Sequence, residues 1–171
     1  MGFPGLSVGY LRALASNVDL SVRVAGNYAY EGLPSMMVLG GRAEAGLRLR
    51  LLEIAGMSLG LHAGAGVLAY FPLGGYLLGL ALPLGVTVGV PLGPTFAASA
   101  GVEFPLWVAF GTAGGLTVPV LGSAGLEYFL NKEWAATLRA RVGPAFNPSG
   151  FRFGGPSPLE LNVYAGIALR L

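Results

Sequence analysis

Charge in this chain is sorted by odd and even position. In "NVDLSVRVAGNYAY", residues 17–30, the positions Val18, Leu20, Val22, Val24, Tyr28 and Tyr30 alternate with Asp19, Ser21, Arg23, Ala25 and Asn27. In "GRAEAGLRLRLL", residues 41–52, Arg42, Glu44, Arg48 and Arg50 share one parity, and Ala43, Ala45, Leu47, Leu49 and Leu51 share the other. On a helix, at 3.6 residues per turn, those four charges would be spread round much of the circumference. On a strand they point one way. The alternation therefore predicts two-faced β-strands, with one face aliphatic and the other carrying the ions.

The same pattern continues down the chain. Met57, Leu59, Leu61, Ala63, Ala65, Val67, Ala69 and Phe71 alternate with Ser58, Gly60, His62, Gly64, Gly66, Leu68 and Tyr70. Leu78 to Val90 alternate with Gly79, Ala81, Pro83, Gly85, Thr87 and Gly89, and Leu161 to Leu171 alternate with Asn162, Tyr164, Gly166, Ala168 and Arg170. The rival reading is a pair of membrane helices, because residues 63–101 contain no charge. Pro72, Pro83, Pro91 and Pro94 divide that stretch into pieces shorter than the ~20 apolar residues a spanning helix needs.

Nine extended segments are predicted, over residues 5–15, 18–30, 38–52, 57–71, 76–90, 95–110, 116–130, 134–146 and 160–171, separated by clusters rich in Gly, Pro, Asn and Ser. Their regular spacing, with no linker or shift in composition, predicts one domain over residues 1–171. A strand of ~13 residues tilted by ~40° rises roughly 33 Å, enough to cross an apolar band ~25 Å tall. Placing every charge tests the pattern. Eleven fall on the polar parity: Asp19, Arg23, Arg42, Glu44, Arg48, Arg50, Glu103, Glu127, Arg139, Arg141 and Arg170. Glu31, Glu53, Lys132, Glu133, Arg152 and Glu160 fall in turns or at strand ends. Arg12 alone shares the parity of Leu6, Val8 and Leu14, where it snorkels from a strand end or a bulge shifts the register.

Which face meets water follows from composition. Charged residues are 11% of the chain and hydrophobic residues 54%, whereas soluble domains carry about 25% charge. A soluble sandwich would need far more charge on its outer faces, and a lipocalin-like barrel has an apolar interior, the opposite polarity. The aliphatic face is therefore read as facing lipid, with the ions inward. Backbone groups in lipid must be paired, so the sheet has to close. The expected fold is all-β, a transmembrane antiparallel up-and-down β-barrel. Aromatic residues gather at the ends of the apolar face, with Tyr30, Phe71, Phe110 and Phe146 at one rim and Phe96, Tyr128 and Trp134 at the other. These are read as membrane-interface aromatics.

On these residues the chain resembles the small outer-membrane β-barrels of Gram-negative bacteria, the OmpA-transmembrane-domain and OmpX-like class. The resemblance is one of pattern across nearly the whole chain. It includes the terminal "LNVYAGIALRL", which looks like the alternation that the family's insertion machinery recognises, although Leu171 stands where the family favours Phe. The resemblance implies a bacterial outer-membrane location and contact with membrane lipid and lipopolysaccharide. It also implies assembly by that machinery as a monomer, with short turns on the periplasmic side and the longer "EGLPSMM" and "NPSGFRFGGPSPL" outside. Bacterial single-chain barrels have even strand numbers. Nine is odd, so the expectation is ten strands, with one upstream strand and a signal peptide, or eight if one segment is not a strand.

Inside, hairpin folding is expected to bring Asp19 near Arg48 and Arg50, Arg23 near Glu44, His62 near Arg48, and Glu103 within reach of Arg139 or Arg141. Together with Arg42, Glu127, Arg141 and Arg170 these residues form a candidate charge network in a polar lumen that side chains fill, holding the barrel shut. The function expected is structural or adhesive, without enzymatic activity. A narrow channel for small solutes or anions is the first alternative, given the Arg excess. The second is a lipid-modifying barrel enzyme built on His62 with Ser58, Ser99 or Glu103, although no His-x-Ser spacing is present. One His and no Cys predict no metal site, and no phosphate loop or other cofactor motif is present. A formal charge of +2 without a basic run excludes nucleic acid as a partner. Phe151, Arg152 and Phe153 in the longest loop are candidates for partner or lipopolysaccharide contact.

Overall fold

The computed structural model describes residues 4–29, 37–72, 74–111, 115–146 and 159–170. The described residues form strands and turns and contain no helix. Twelve strands make one sheet: β1 (Pro4–Ala15), β2 (Val18–Ala29), β3 (Met37–Ile54), β4 (Met57–Phe71), β5 (Leu77–Leu82), β6 (Leu84–Pro91), β7 (Phe96–Glu103), β8 (Leu106–Gly111), β9 (Gly115–Pro119), β10 (Leu121–Phe129), β11 (Trp134–Phe146) and β12 (Leu159–Arg170).

All nine expected segments are extended, but three are divided. The division of β5 from β6 falls at Pro83, that of β7 from β8 at Phe104 and Pro105, and that of β9 from β10 at Val120, just after Pro119. These breaks lie in neighbouring strands. With Pro144 of β11 they form one line across the wall where the ladder is interrupted, because a proline donates no ladder hydrogen bond. Neighbours bridge the gaps: Gly64 N–H donates to Pro83 O, Phe104 N–H to Leu84 O and Val120 N–H to Pro144 O, at 2.7–2.9 Å.

The order round the ring follows the chain. β1, β2, β3 and β4 pair in succession, and β4 then pairs with both β6 and β5. The pairs β6–β7 and β5–β8 continue the wall, followed by β7–β10 and β8–β9, and β11 pairs with both β10 and β9. β12 pairs with β11, and β1 pairs with β12 to close the ring at nine strand positions. Every pairing is antiparallel except that last one, where Pro4 to Leu11 lie parallel to Val163 to Arg170. An up-and-down meander with an odd number of strands leaves its first and last strands pointing the same way, so the ring closes in parallel. The expected eight-strand alternative, with one segment lost, is thereby corrected: each of the nine segments contributes to the wall. The even count was expected from the rule for bacterial single-chain barrels, and this ring closes at nine positions through a parallel pair.

Turn chemistry fits the sequence. Ala55 (φ 52°) and Gly56 (φ 81°) form a two-residue connection between β3 and β4, with positive φ at both positions as a type I′ hairpin requires. In the turn before β11 the Asn131 side chain accepts hydrogen bonds from the Glu133 and Trp134 N–H groups, both at 2.8 Å. A bulge between Ala13 and Ala15 follows Arg12 rather than preceding it. It therefore leaves Arg12 exposed on the aliphatic side, opposite Leu20.

Candidate functional site

The inward parity places three zones along the axis of the ring. A middle layer holds ions, of which Arg42, Glu103 and Arg141 are buried. β2 and β3 set Arg23 opposite Glu44 and Asp19 opposite Arg48, and β3 and β4 set Arg48 opposite His62. Arg42 Nε lies 3.3 Å from Glu44 Oε1. Glu103, the last residue of β7, takes Arg139 Nη2 at 2.6 Å on one carboxylate oxygen and Arg141 Nη1 at 3.3 Å on the other. Both arginines stand on β11, with β10 between them and Glu103. They reach across because β10 presents only Ser123 and Gly125 inward at this level, which are the cross-strand partners of Arg141 and Arg139.

Tyr164 of β12 organises the layer. Its ring centre lies 4.9 Å from the guanidinium carbon of Arg23, 5.1 Å from that of Arg141 and 5.5 Å from that of Arg42. Stacked cations are attracted to the ring face, and Arg141 Nη2 also donates to Tyr164 Oη at 3.2 Å. Gly5, opposite Tyr164 in the parallel pair, makes the room, since a Cβ there would sit 2.6 Å from the ring. Sequence reasoning did not single out Tyr164. Its only signal was its place on the ionic parity of the last strand.

Toward the rim that carries Phe71 and Phe110 the interior is apolar. Leu68, Tyr70, Leu77, Ala81, Trp107 and Ala109 form one buried cluster, and Leu121 and Pro119 are fully enclosed. The expectation of a polar interior thus holds for only part of its length. Trp107 and Glu103 share a parity on one interrupted segment, so position in the pleat did not separate a plug from an ion-pair layer.

Toward the other rim the interior is hollow. A cavity of about 370 Å³ runs from Ser58, Asp19 and Arg170 down to Glu103, Arg139 and Tyr164. Arg48, Arg50, His62 and Glu127 line it as well. Near its mouth Arg50 pairs with Glu53 at 3.5 Å and Arg170 with Glu127 at 3.8 Å, and Arg170 lies 4.9 Å from the centre of the Phe129 ring.

On the outside, Phe71, Phe96, Phe110, Tyr128, Trp134 and Phe146 are all exposed. Phe71, Phe110 and Phe146 end β4, β8 and β11 at one rim. Phe96 and Tyr128 are cross-strand partners near the other rim, with ring centres 4.9 Å apart, and Trp134 opens β11 beside them. Tyr76 and Phe104 are further exposed aromatics that the sequence reading did not include. Tyr30 and the loop candidates Phe151, Arg152 and Phe153 lie outside the described residues.

No group of three or more His, Cys, Asp or Glu among the described residues is arranged to hold a metal ion, and there is no helix among them long and apolar enough to cross a membrane, which says nothing of a crossing by strands. No protein family, curated protein or solved structure matches the chain.

Proposed function

We propose that the chain is an integral β-barrel of the bacterial outer membrane with a structural or adhesion-type role. The observation that carries this reading is the outer wall. Leu47, Val67, Leu80 and Leu138, from strands all round the ring, are 50–56% exposed, while Arg42, Glu103 and Arg141 inside are 2–6% exposed. Soluble monomers rarely present a contiguous apolar patch above a few hundred Å², and here aliphatic side chains cover the wall between two sets of aromatics. Hydrocarbon is the solvent that suits such a surface, and closing the ring satisfies the backbone within it. Membrane lipid and lipopolysaccharide are then its immediate partners. The alternating outer face of β12, with Leu161 and Ile167 exposed, is the feature that assembly machinery would read. The parallel seam sets this ring apart from the even-stranded rule for bacterial barrels, although odd-stranded membrane barrels occur.

The interior argues against a conducting channel, because a buried apolar cluster that includes Trp107 lies beyond the ionic layer. Planar-bilayer recording should give no steady conductance. For the enzymatic alternative, His62, Ser58 and Glu103 all line the cavity, and His62→Ala should leave lipid A and phospholipid profiles unchanged. Membrane fractionation with a heat-modifiability gel tests the main reading. It expects an outer-membrane band that migrates faster unheated than boiled. A soluble band with no heat shift would overturn it.

A further inference from the structure

We infer that the half-open cavity is a blind binding site for a small oxyanion, a phosphate or carboxylate group, held by Arg23 and Arg48. Each buried acid is already engaged: Glu44 with Arg42, and Glu103 with both Arg139 and Arg141. At the mouth Glu127 and Glu53 are held by Arg170 and Arg50. Two guanidinium groups that line the cavity remain, Arg23 at its floor and Arg48 on its wall. Neither has a carboxylate within 4.0 Å among the described residues. Arg23 lies over the Tyr164 ring, 4.9 Å away, and stands opposite Glu44 in register without an ion pair to it. Asp19 is the one further acid on the lining and sits opposite Arg48 in register, nearer the mouth. Arg23 and Arg48 against Asp19, together with two arginines on the single Glu103, leave the cavity two positive charges in excess.

The space is built as well as charged. Interiors of rings this narrow are normally filled by side chains. Here several positions that border the cavity are small, among them Gly60, Gly89, Ala97, Ser99 and Gly125. Small residues around two forked cations leave room that an anion fits. Arginine recognises phosphate and carboxylate oxygens through paired N–H donors, while Ser58, Thr87 and Ser99 add hydroxyl groups to the lining. The apolar plug makes the cavity a dead end, so the site binds and does not conduct.

The experiment titrates the purified full chain, in detergent micelles, with inorganic phosphate and with acetate at constant ionic strength, followed by calorimetry. The site predicts saturable binding of one anion per chain. Arg23→Gln and Arg48→Gln should each weaken that binding by roughly tenfold or more, the loss expected for a charged hydrogen bond, whereas Lys132→Gln in the rim turn should leave it unchanged. Saturation by phosphate alone assigns a phosphate site, and saturation by both probes a general oxyanion site. A heat that never saturates, or binding that Arg23→Gln and Arg48→Gln leave intact, overturns the proposal. Arg48 is exposed and free of ion pairs among the described residues, so its variant keeps the test decisive if Arg23→Gln fails to fold. Fractionation is unaffected by these variants, so failure here is distinguishable from failure of the membrane reading.

Discussion

At the scale of single residues, Glu103 bears the largest electrostatic responsibility. It is 6% exposed and accepts two arginines from β11 across β10. Glu103→Gln would leave the buried Arg141 and the partly buried Arg139 short of their counter-charge, and breaking a buried pair costs ~3–5 kcal/mol. The rim pair of Glu53 with Arg50 is solvated, so Glu53→Gln should cost less than ~1 kcal/mol. Urea unfolding in micelles compares the two, and equal midpoints would contradict the assignment of a buried layer. Much of this layer was legible beforehand, because parity and adjacency put Arg23 with Glu44 and Asp19 and His62 with Arg48 on one face of neighbouring strands; the final registers also depend on irregularities between Arg50 and Leu52 and between Asn27 and Ala29 that turn positions do not encode. The role of Tyr164 was not legible. It depends on the parallel seam placing Gly5 beside it, a contact between the two ends of the chain that no local pattern encodes. Gly85 teaches the same lesson. A Cβ there would collide with the His62 ring, so the glycine is a packing requirement of its neighbour.

At the scale of elements, the extended segments were readable because the parity rule is strong over ten or more residues. Their interruptions were not, since a proline inside a strand pattern marks a bend without saying whether the ladder resumes. In this chain it resumes each time. Pro83, Pro105, Pro119 and Pro144 line up across adjacent strands, so the lost hydrogen bonds concentrate in one line instead of weakening four separate places. The β3–β4 turn offers a direct test of element stability. Ala55 holds φ 52° without being glycine, a conformation that costs an L-residue ~1–2 kcal/mol. Asparagine tolerates it better and is favoured in type I′ turns. Ala55→Asn should therefore stabilise the fold by about 0.5–1 kcal/mol, read as a higher urea midpoint with an unchanged slope. A lower midpoint would mean that the turn is not of this type.

At the scale of the whole molecule, two properties define the ring: how it closes and which way its faces look. Closure by a parallel seam is testable because the chain has no cysteine. Val8 and Ile167 are seam partners. The double variant Val8→Cys with Ile167→Cys should form an intramolecular disulfide on mild oxidation, since neighbouring strands hold Cα atoms within the reach such a bond allows. Failure to cross-link would mean that the two strands are not neighbours in solution. The orientation of the faces is the claim on which the membrane reading rests. It is tested most directly by single cysteines at successive positions of β3 and β4, such as Leu47, Arg48, Leu49, Leu61, His62 and Ala63, each spin-labelled in lipid bilayers. Oxygen, which partitions into hydrocarbon, should reach labels at Leu47, Leu49, Leu61 and Ala63 better than a water-soluble nickel chelate does, and the preference should reverse at Arg48 and His62. Collision rates without that period of two, or nickel favoured at the aliphatic positions, would contradict the account.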